Sequence, residues 1–193
     1  MPKAKTIWKT FSNEYLSINL PDSFIGGNPG KNRKEIMAEV ETLPDDIQNI
    51  FKTFFSQRHF IFMAADRKFN PEMTSLTCLV VLPESIPFIK FRSTIEHYMQ
   101  EVKKNLGSNF ETVEEDYFDV NGIPSARLLS VQKERKTRKN PDPKETRKHL
   151  LYAFRLRKRY WAFDFIADAA VFDAYLSIFE ESIKTISFTE KAK

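Results

Sequence analysis

Leu150-Leu-Tyr-Ala-Phe-Arg-Leu-Arg-Lys-Arg-Tyr-Trp-Ala-Phe-Asp-Phe165 is the stretch that decides the fold. Leu150, Tyr152, Phe154 and Leu156 share one face of an extended chain, alternating with Ala153, Arg155 and Arg157. Trp161, Phe163 and Phe165 then alternate with Ala162 and Asp164. A period of two means strand, and two such runs across a short polar link mean a hairpin with one buried face. Upstream, Asn109–Val120 and Ile123–Val131 flank Asn121-Gly122. A two-residue Asn-Gly link is the strongest short hairpin signal, because both turn residues take positive φ. Consecutive hairpins predict an antiparallel sheet in this half of the chain.

Working outward, a helix is expected over about 169–185, with Asp168 as N-cap and Phe172, Tyr175, Phe179 and Ile183 turned inward. Ser93-Thr-Ile-Glu96 has the capping-box form, with Ser93 as N-cap. The helix it opens carries Ile95, Met99, Val102 and Leu106 on one stripe and stops at Gly107. Strands are expected at about 59–65 and 75–82, the second apolar on both faces and therefore central. An earlier helix breaks near Leu43-Pro44. Its second half sets Ile47, Ile50, Phe51, Phe54 and Phe55 on one face, with Thr42 as candidate N-cap. Gly26-Gly-Asn-Pro-Gly30 reads as a loop, and Thr6–Phe11 and Glu14–Leu20 as strands. The order β-β-α-β-β-α-β-β-β-β-α predicts an α+β protein. Its form is an α/β/α sandwich: a mostly antiparallel central sheet covered by helices on both faces, in one domain over residues 1–193.

The 193 residues are 41% hydrophobic and 29% charged, enough for one full core without staples. No run approaches the roughly 18 apolar residues of a membrane helix. Met1–Trp8 has positive charge but no apolar h-region, so a cytoplasmic protein is expected. Cys78, the single cysteine, excludes an intrachain disulfide and any multi-cysteine zinc site. Net charge is +4, but it is uneven. Residues 133–159 carry net +9, leaving −5 on the rest.

The order of elements resembles the superfamily that joins the PsbP extrinsic proteins of photosystem II to a Ran-binding nuclear-import factor and bacterial relatives of unknown role. Tyr15-Leu-Ser-Ile-Asn-Leu-Pro-Asp-Ser-Phe24 is similar to its opening strand. Ala65-Asp66, Phe69-Asn-Pro71 and Thr77-Cys-Leu-Val-Val81 are similar to its Asn-Pro loop and central strand. Asp164-Phe-Ile, Phe172, Tyr175, Phe179 and Ile186-Ser-Phe188 are similar to its closing strand and helix. The family's usual Trp is Phe24 here, and the 25–57 segment and basic loop are longer than usual. The resemblance implies this fold and a non-enzymatic binding or assembly role.

Little marks catalysis. Gly26–Asn32 departs from a phosphate loop at both ends of the pattern, so a turn is the better reading. His59, His97 and His149 lack any metal-ligand spacing, and no cofactor or metal is expected. Glu111, Glu114, Glu115, Asp116 and Asp119 crowd one strand and read as a solvated outer face, with cation binding or a basic partner as alternatives. Asp164, amid apolar neighbours, needs a partner such as Arg155 or Arg157. Cys78 reads as a buried, inert thiol.

The basic segment stands above this background. Lys133, Arg135, Lys136, Arg138, Lys139, Lys144, Arg147 and Lys148 fall in an expected loop over 133–149 that contains Asn140-Pro-Asp-Pro143. Arg155, Arg157, Lys158 and Arg159 extend the patch onto the hairpin. Such density suits an acidic protein surface, or the phosphates of nucleic acid or an anionic membrane. The expectation is an accessory protein docking an acidic partner. The alternatives are a small-ligand carrier or enzyme with a pocket between sheet and helix, and an electrostatic nucleic-acid or membrane-surface binder.

Overall fold

Both hairpins form in the computed structural model, which describes residues 6–69, 73, 75–85, 93–134 and 144–192. In chain order the elements are β1 (Trp8–Ser12), β2 (Leu16–Pro21), β3 (Phe24–Gly27), α1 (Arg33–Val40), α2 (Asp45–Phe54), β4 (Phe62–Asp66) and β5 (Cys78–Ser85). They continue with α3 (Ile95–Leu106), β6 (Phe110–Val120), β7 (Ile123–Lys133), β8 (Glu145–Leu156), β9 (Arg159–Asp168), α4 (Phe172–Lys184) and β10 (Ser187–Phe188). The central sheet has the order β3-β4-β5-β9-β8-β7-β6, with every neighbouring pair antiparallel.

The alternation that identified β8 and β9 also divides the core. Tyr152, Phe154, Trp161, Phe163 and Phe165 point to one side, where they meet Phe172 and Phe179 of α4. Burying each such side chain contributes roughly 1.5–3 kcal/mol. On the other side, α1 and α2 cover Ile25, Met63, Cys78 and Val80, while α3 covers Ala126, Leu128 and Ala153. The α+β sandwich expected from the sequence is the observed architecture, with one refinement. The first two strands leave the central sheet: β2 pairs with β1 on one edge and β10 on the other. This small sheet shares the α4 side, burying Phe11, Leu16, Ile18 and Leu20 in that core.

Several local expectations are corrected. Gly26 and Gly27 belong to β3 rather than to a loop. A Cβ on Gly26 would lie 2.5 Å from Ala64 Cβ and 2.6 Å from Met63 O, so the close pairing of β3 with β4 requires glycine there. Thr94, not Ser93, caps α3 by accepting from the His97 N–H, and Tyr160 anchors that end with its hydroxyl 2.8 Å from Ser93 O. Pro44 precedes α2, and Thr42 instead donates to Glu39 O. Asp168 ends β9 and accepts from the Ala170 N–H, so α4 begins only at Phe172. Asn121 and Gly122 take φ of 54° and 82°, the left-handed pair expected of their turn.

Candidate functional site

The expected basic loop is shorter than its charge implied. Lys133 ends β7, and Arg147, Lys148 and His149 lie within β8. Charge hid this strand start from the apolar pattern, but the backbone pairs on both sides there: Arg147 with Gln132 and Asp168, Lys148 with Val131 and Ala167. Sheet hydrogen bonds need partners, not apolar side chains. Arg135, Lys136, Arg138, Lys139 and Asn140–Pro143 lie outside the described residues, as do Asn70 and Pro71.

The basic residues also separate in space. Arg155, Arg157, Lys158 and Arg159 sit at the far end of β8 and its turn into β9. The strand holds Lys144 and Arg157 roughly 40 Å apart at about 3.3 Å per residue. The described basic residues therefore form two clusters, not one continuous patch.

Their charges have different fates. At the loop end, Lys133 pairs with Glu111 at 2.6 Å, and Lys148 pairs with Asp173 at 3.2 Å beside the Phe172 ring. Lys144 is exposed. At the turn end, Arg155 and Lys158 have electrostatic or hydrogen-bonding neighbours. Arg157 and Arg159 are exposed, with no ion pair or side-chain hydrogen bond among the described residues. Arg157 also takes φ of 50°, a left-handed conformation uncommon outside glycine and asparagine.

The acidic strand is β6, the outer edge of the sheet. Its carboxylates are largely claimed from within the molecule: Glu114 by Arg127 at 2.6 Å, Glu115 by Lys103 at 2.6 Å, Glu111 by Lys133. Charges on an exposed edge also oppose pairing with another chain.

Asp164 finds a partner the sequence did not indicate. His149 Nδ1 lies 3.0 Å from Asp164 Oδ2, in the role expected of Arg155 or Arg157. The β8–β9 register places His149 opposite Ile166 and Leu151 opposite Asp164, so the pair is diagonal on one face. Burial opposes a charged imidazole, but the Asp164 carboxylate outweighs it through charge and hydrogen bonding, and the His149 pKa rises. Asp164 also lines a cavity of about 510 Å³ between the sheet and helices α2 and α3. Cys78, Arg147, Glu84 and Tyr98 lie on the same walls. The Tyr98 hydroxyl donates to Glu84 Oε1 at 3.2 Å, and burial pushes its pKa up. Cys78 is buried, and that burial, with the Asp164 charge adding to it, pushes its thiol above the usual range.

The glycine loop is a turn. Asn28 Oδ1 accepts from the Gly30 and Lys31 N–H groups at 2.9 and 3.1 Å, using the donors a phosphate would need. Among the described residues, no three His, Cys, Asp or Glu side chains gather as a metal set. No described helix is long and apolar enough to cross a membrane.

No protein-family profile matches the chain, and no curated protein matches it significantly. Solved structures do. Cyanobacterial PsbP (CyanoP) from Synechocystis sp. PCC 6803 superposes with a TM-score of 0.57 at 12% identity, covering 98% of this chain and 96% of that one. The Ran-binding protein Mog1p of Saccharomyces cerevisiae gives 0.53 at 11% identity, covering 97% and 98%. A mutant form of Mog1 gives 0.51 at 11% identity, covering 94% and 95%. At these identities the likeness is one of fold, and the fold is that of the superfamily the sequence resembles.

Proposed function

We propose that this chain, built on the fold shared by PsbP and Mog1p, is a non-catalytic binding or assembly accessory that docks an acidic protein partner. Its contacts are the hairpin residues Arg155, Arg157, Lys158 and Arg159 and, from the basic loop, Arg135, Lys136, Arg138, Lys139, Lys144 and Arg147, while Lys133 and Lys148, paired within the molecule, contribute little. The uncompensated charge of Arg157 and Arg159 carries the reading. A guanidinium already paired inside the molecule has little left to offer a partner, whereas a free one can form bidentate contacts with a carboxylate. The left-handed φ at Arg157 supports the same view, since glycine or asparagine would satisfy that turn with less strain. A Ran-binding neighbour is a second support, as an example of this fold acting through a protein contact.

The test is capture from extract of the source cells, using wild type beside a variant with all twelve basic residues changed to Gln. Proteins recovered by wild type and lost by the variant, in nuclease-treated extract, are the expected result. Identical recoveries would remove the basic residues from the function. The carrier or enzyme alternative has the Asp164 cavity in its favour, but its most unusual group is already paired with His149.

A further inference from the structure

The α4 side of the sheet carries an open groove that neither the basic clusters nor the Asp164 cavity explains. It measures about 700 Å³, and small-molecule sites run to roughly 300–1,000 Å³. Phe118 and Val120 of β6 form one lip, Ile183 of α4 and Phe188 of β10 the other. Tyr152 and Phe154 form the floor. The floor is buried, but Phe118 and Val120 remain 38% and 37% exposed. Folding has gathered apolar side chains around a space and left its lip wet, so an apolar occupant would remove further surface from water.

The polar groups of the groove select the occupant's charge. Arg127 lies in the wall, but Glu114, Asp116 and Glu180 surround its guanidinium at 2.6, 3.6 and 3.3 Å. Its charge is taken. Lys184, in the last turn of α4, also lines the groove and has no ion pair or side-chain hydrogen bond among the described residues. Glu180 stands one helical turn before it, at the i,i+4 spacing that favours a salt bridge, yet Glu180 turns to Arg127. An ammonium next to an open apolar groove suits one anionic head on an apolar chain. A second negative charge on the ligand would meet Glu180, which lines the groove. The same carboxylate disfavours the acidic protein segment that the distant basic clusters would attract.

We infer that the groove between β6, β8, α4 and β10 binds a single-chain amphiphile with one negative head group, such as a fatty-acyl carboxylate, its head on Lys184 and its chain over Phe154. This site goes beyond the docking function proposed above and does not depend on it, since neither basic cluster takes part.

The test is calorimetric titration of the purified protein with dodecanoate, dodecanol and dodecyltrimethylammonium, each below its micelle concentration. Saturable one-to-one binding of dodecanoate is expected. Lys184→Gln should weaken it about tenfold, the effect of losing one charge-assisted contact, and bring it to the level of dodecanol. Val120→Asp should abolish it. Both positions are exposed or lip residues, and near-ultraviolet circular dichroism would verify that each variant stays folded. Absence of saturable dodecanoate binding to wild type, wild-type affinity in Lys184→Gln, or tighter binding of the cationic amphiphile would each overturn the assignment. Association with phosphatidylglycerol vesicles without binding of monomeric dodecanoate would overturn it too, because it would place the interaction on a membrane surface.

Discussion

Among the described residues, the two ends of β8 carry four cations each and use them differently. Near Glu145, Lys148 and the neighbouring Lys133 of β7 are tied to Asp173 and Glu111, and His149 is buried against Asp164. Near Leu156 the strand turns through Arg157 in a left-handed conformation, and Arg157 and Arg159 have no ion pair or side-chain hydrogen bond among the described residues. At the loop end two of the described cations, Lys133 and Lys148, are spent on the fold. At the other, two guanidinium groups remain for contacts outside the molecule. Charge density along a sequence thus does not locate a docking surface until internal pairing has been subtracted.

The largest effect expected from this contrast is at Asp164. Replacing it with Ala leaves the largely buried His149 imidazole without its carboxylate and should destabilise the protein by about 2 kcal/mol. The pH dependence identifies the cause. The folded-state imidazole keeps its proton to higher pH than the unfolded one, whose pKa is near 6.5. The pair's contribution is therefore complete below about pH 6.5 and disappears as pH rises through the folded value. Urea unfolding of wild type and Asp164→Asn should differ most at pH 5.5, and the gap should narrow as pH rises above neutrality. A gap that widens with pH would break the assignment.

That pair also marks where the sequence stopped being legible. The α4 face of β8 and β9 is apolar at every second position, so Tyr152, Phe154, Trp161, Phe163 and Phe165 declared both strands and their core. Asn121-Gly122 and Gly107 likewise name the ends they make. On the opposite face the alternation is interrupted by Arg147, His149 and Asp164, and the partner of a buried acid depends on register that no local pattern encodes. The strand status of 145–149 was hidden for the same reason. The pairing of β1 and β2 with β10 joins the two ends of the chain, and such long-range contacts leave no periodic signature. The groove beside Phe118 was equally silent, because Phe118 and Val120 read as ordinary strand residues until α4 stops short of them.

A smaller effect is expected at the paired cations. Lys148→Gln breaks a bridge whose acid, Asp173, is largely exposed, and the loss should be under about 1 kcal/mol. A larger loss would mean that the loop end holds the fold more tightly than its geometry implies. The smallest effect should have the opposite sign. Arg157→Gly relieves the left-handed backbone and should leave the protein about 0.5 kcal/mol more stable by thermal or urea unfolding. It removes one free guanidinium at the same time, so it separates docking from stability in a single substitution.

The most direct measurement takes the protein recovered in the capture experiment and determines its affinity for wild type and two variants over a range of salt concentrations. One variant changes Arg157, Lys158 and Arg159 to Gln, and the other changes Lys133 and Lys148 to Gln. The hairpin variant is expected to lose most of the affinity and the salt dependence, while the variant at the internally paired lysines stays close to wild type. Equal affinities for wild type and the hairpin variant would contradict this expectation.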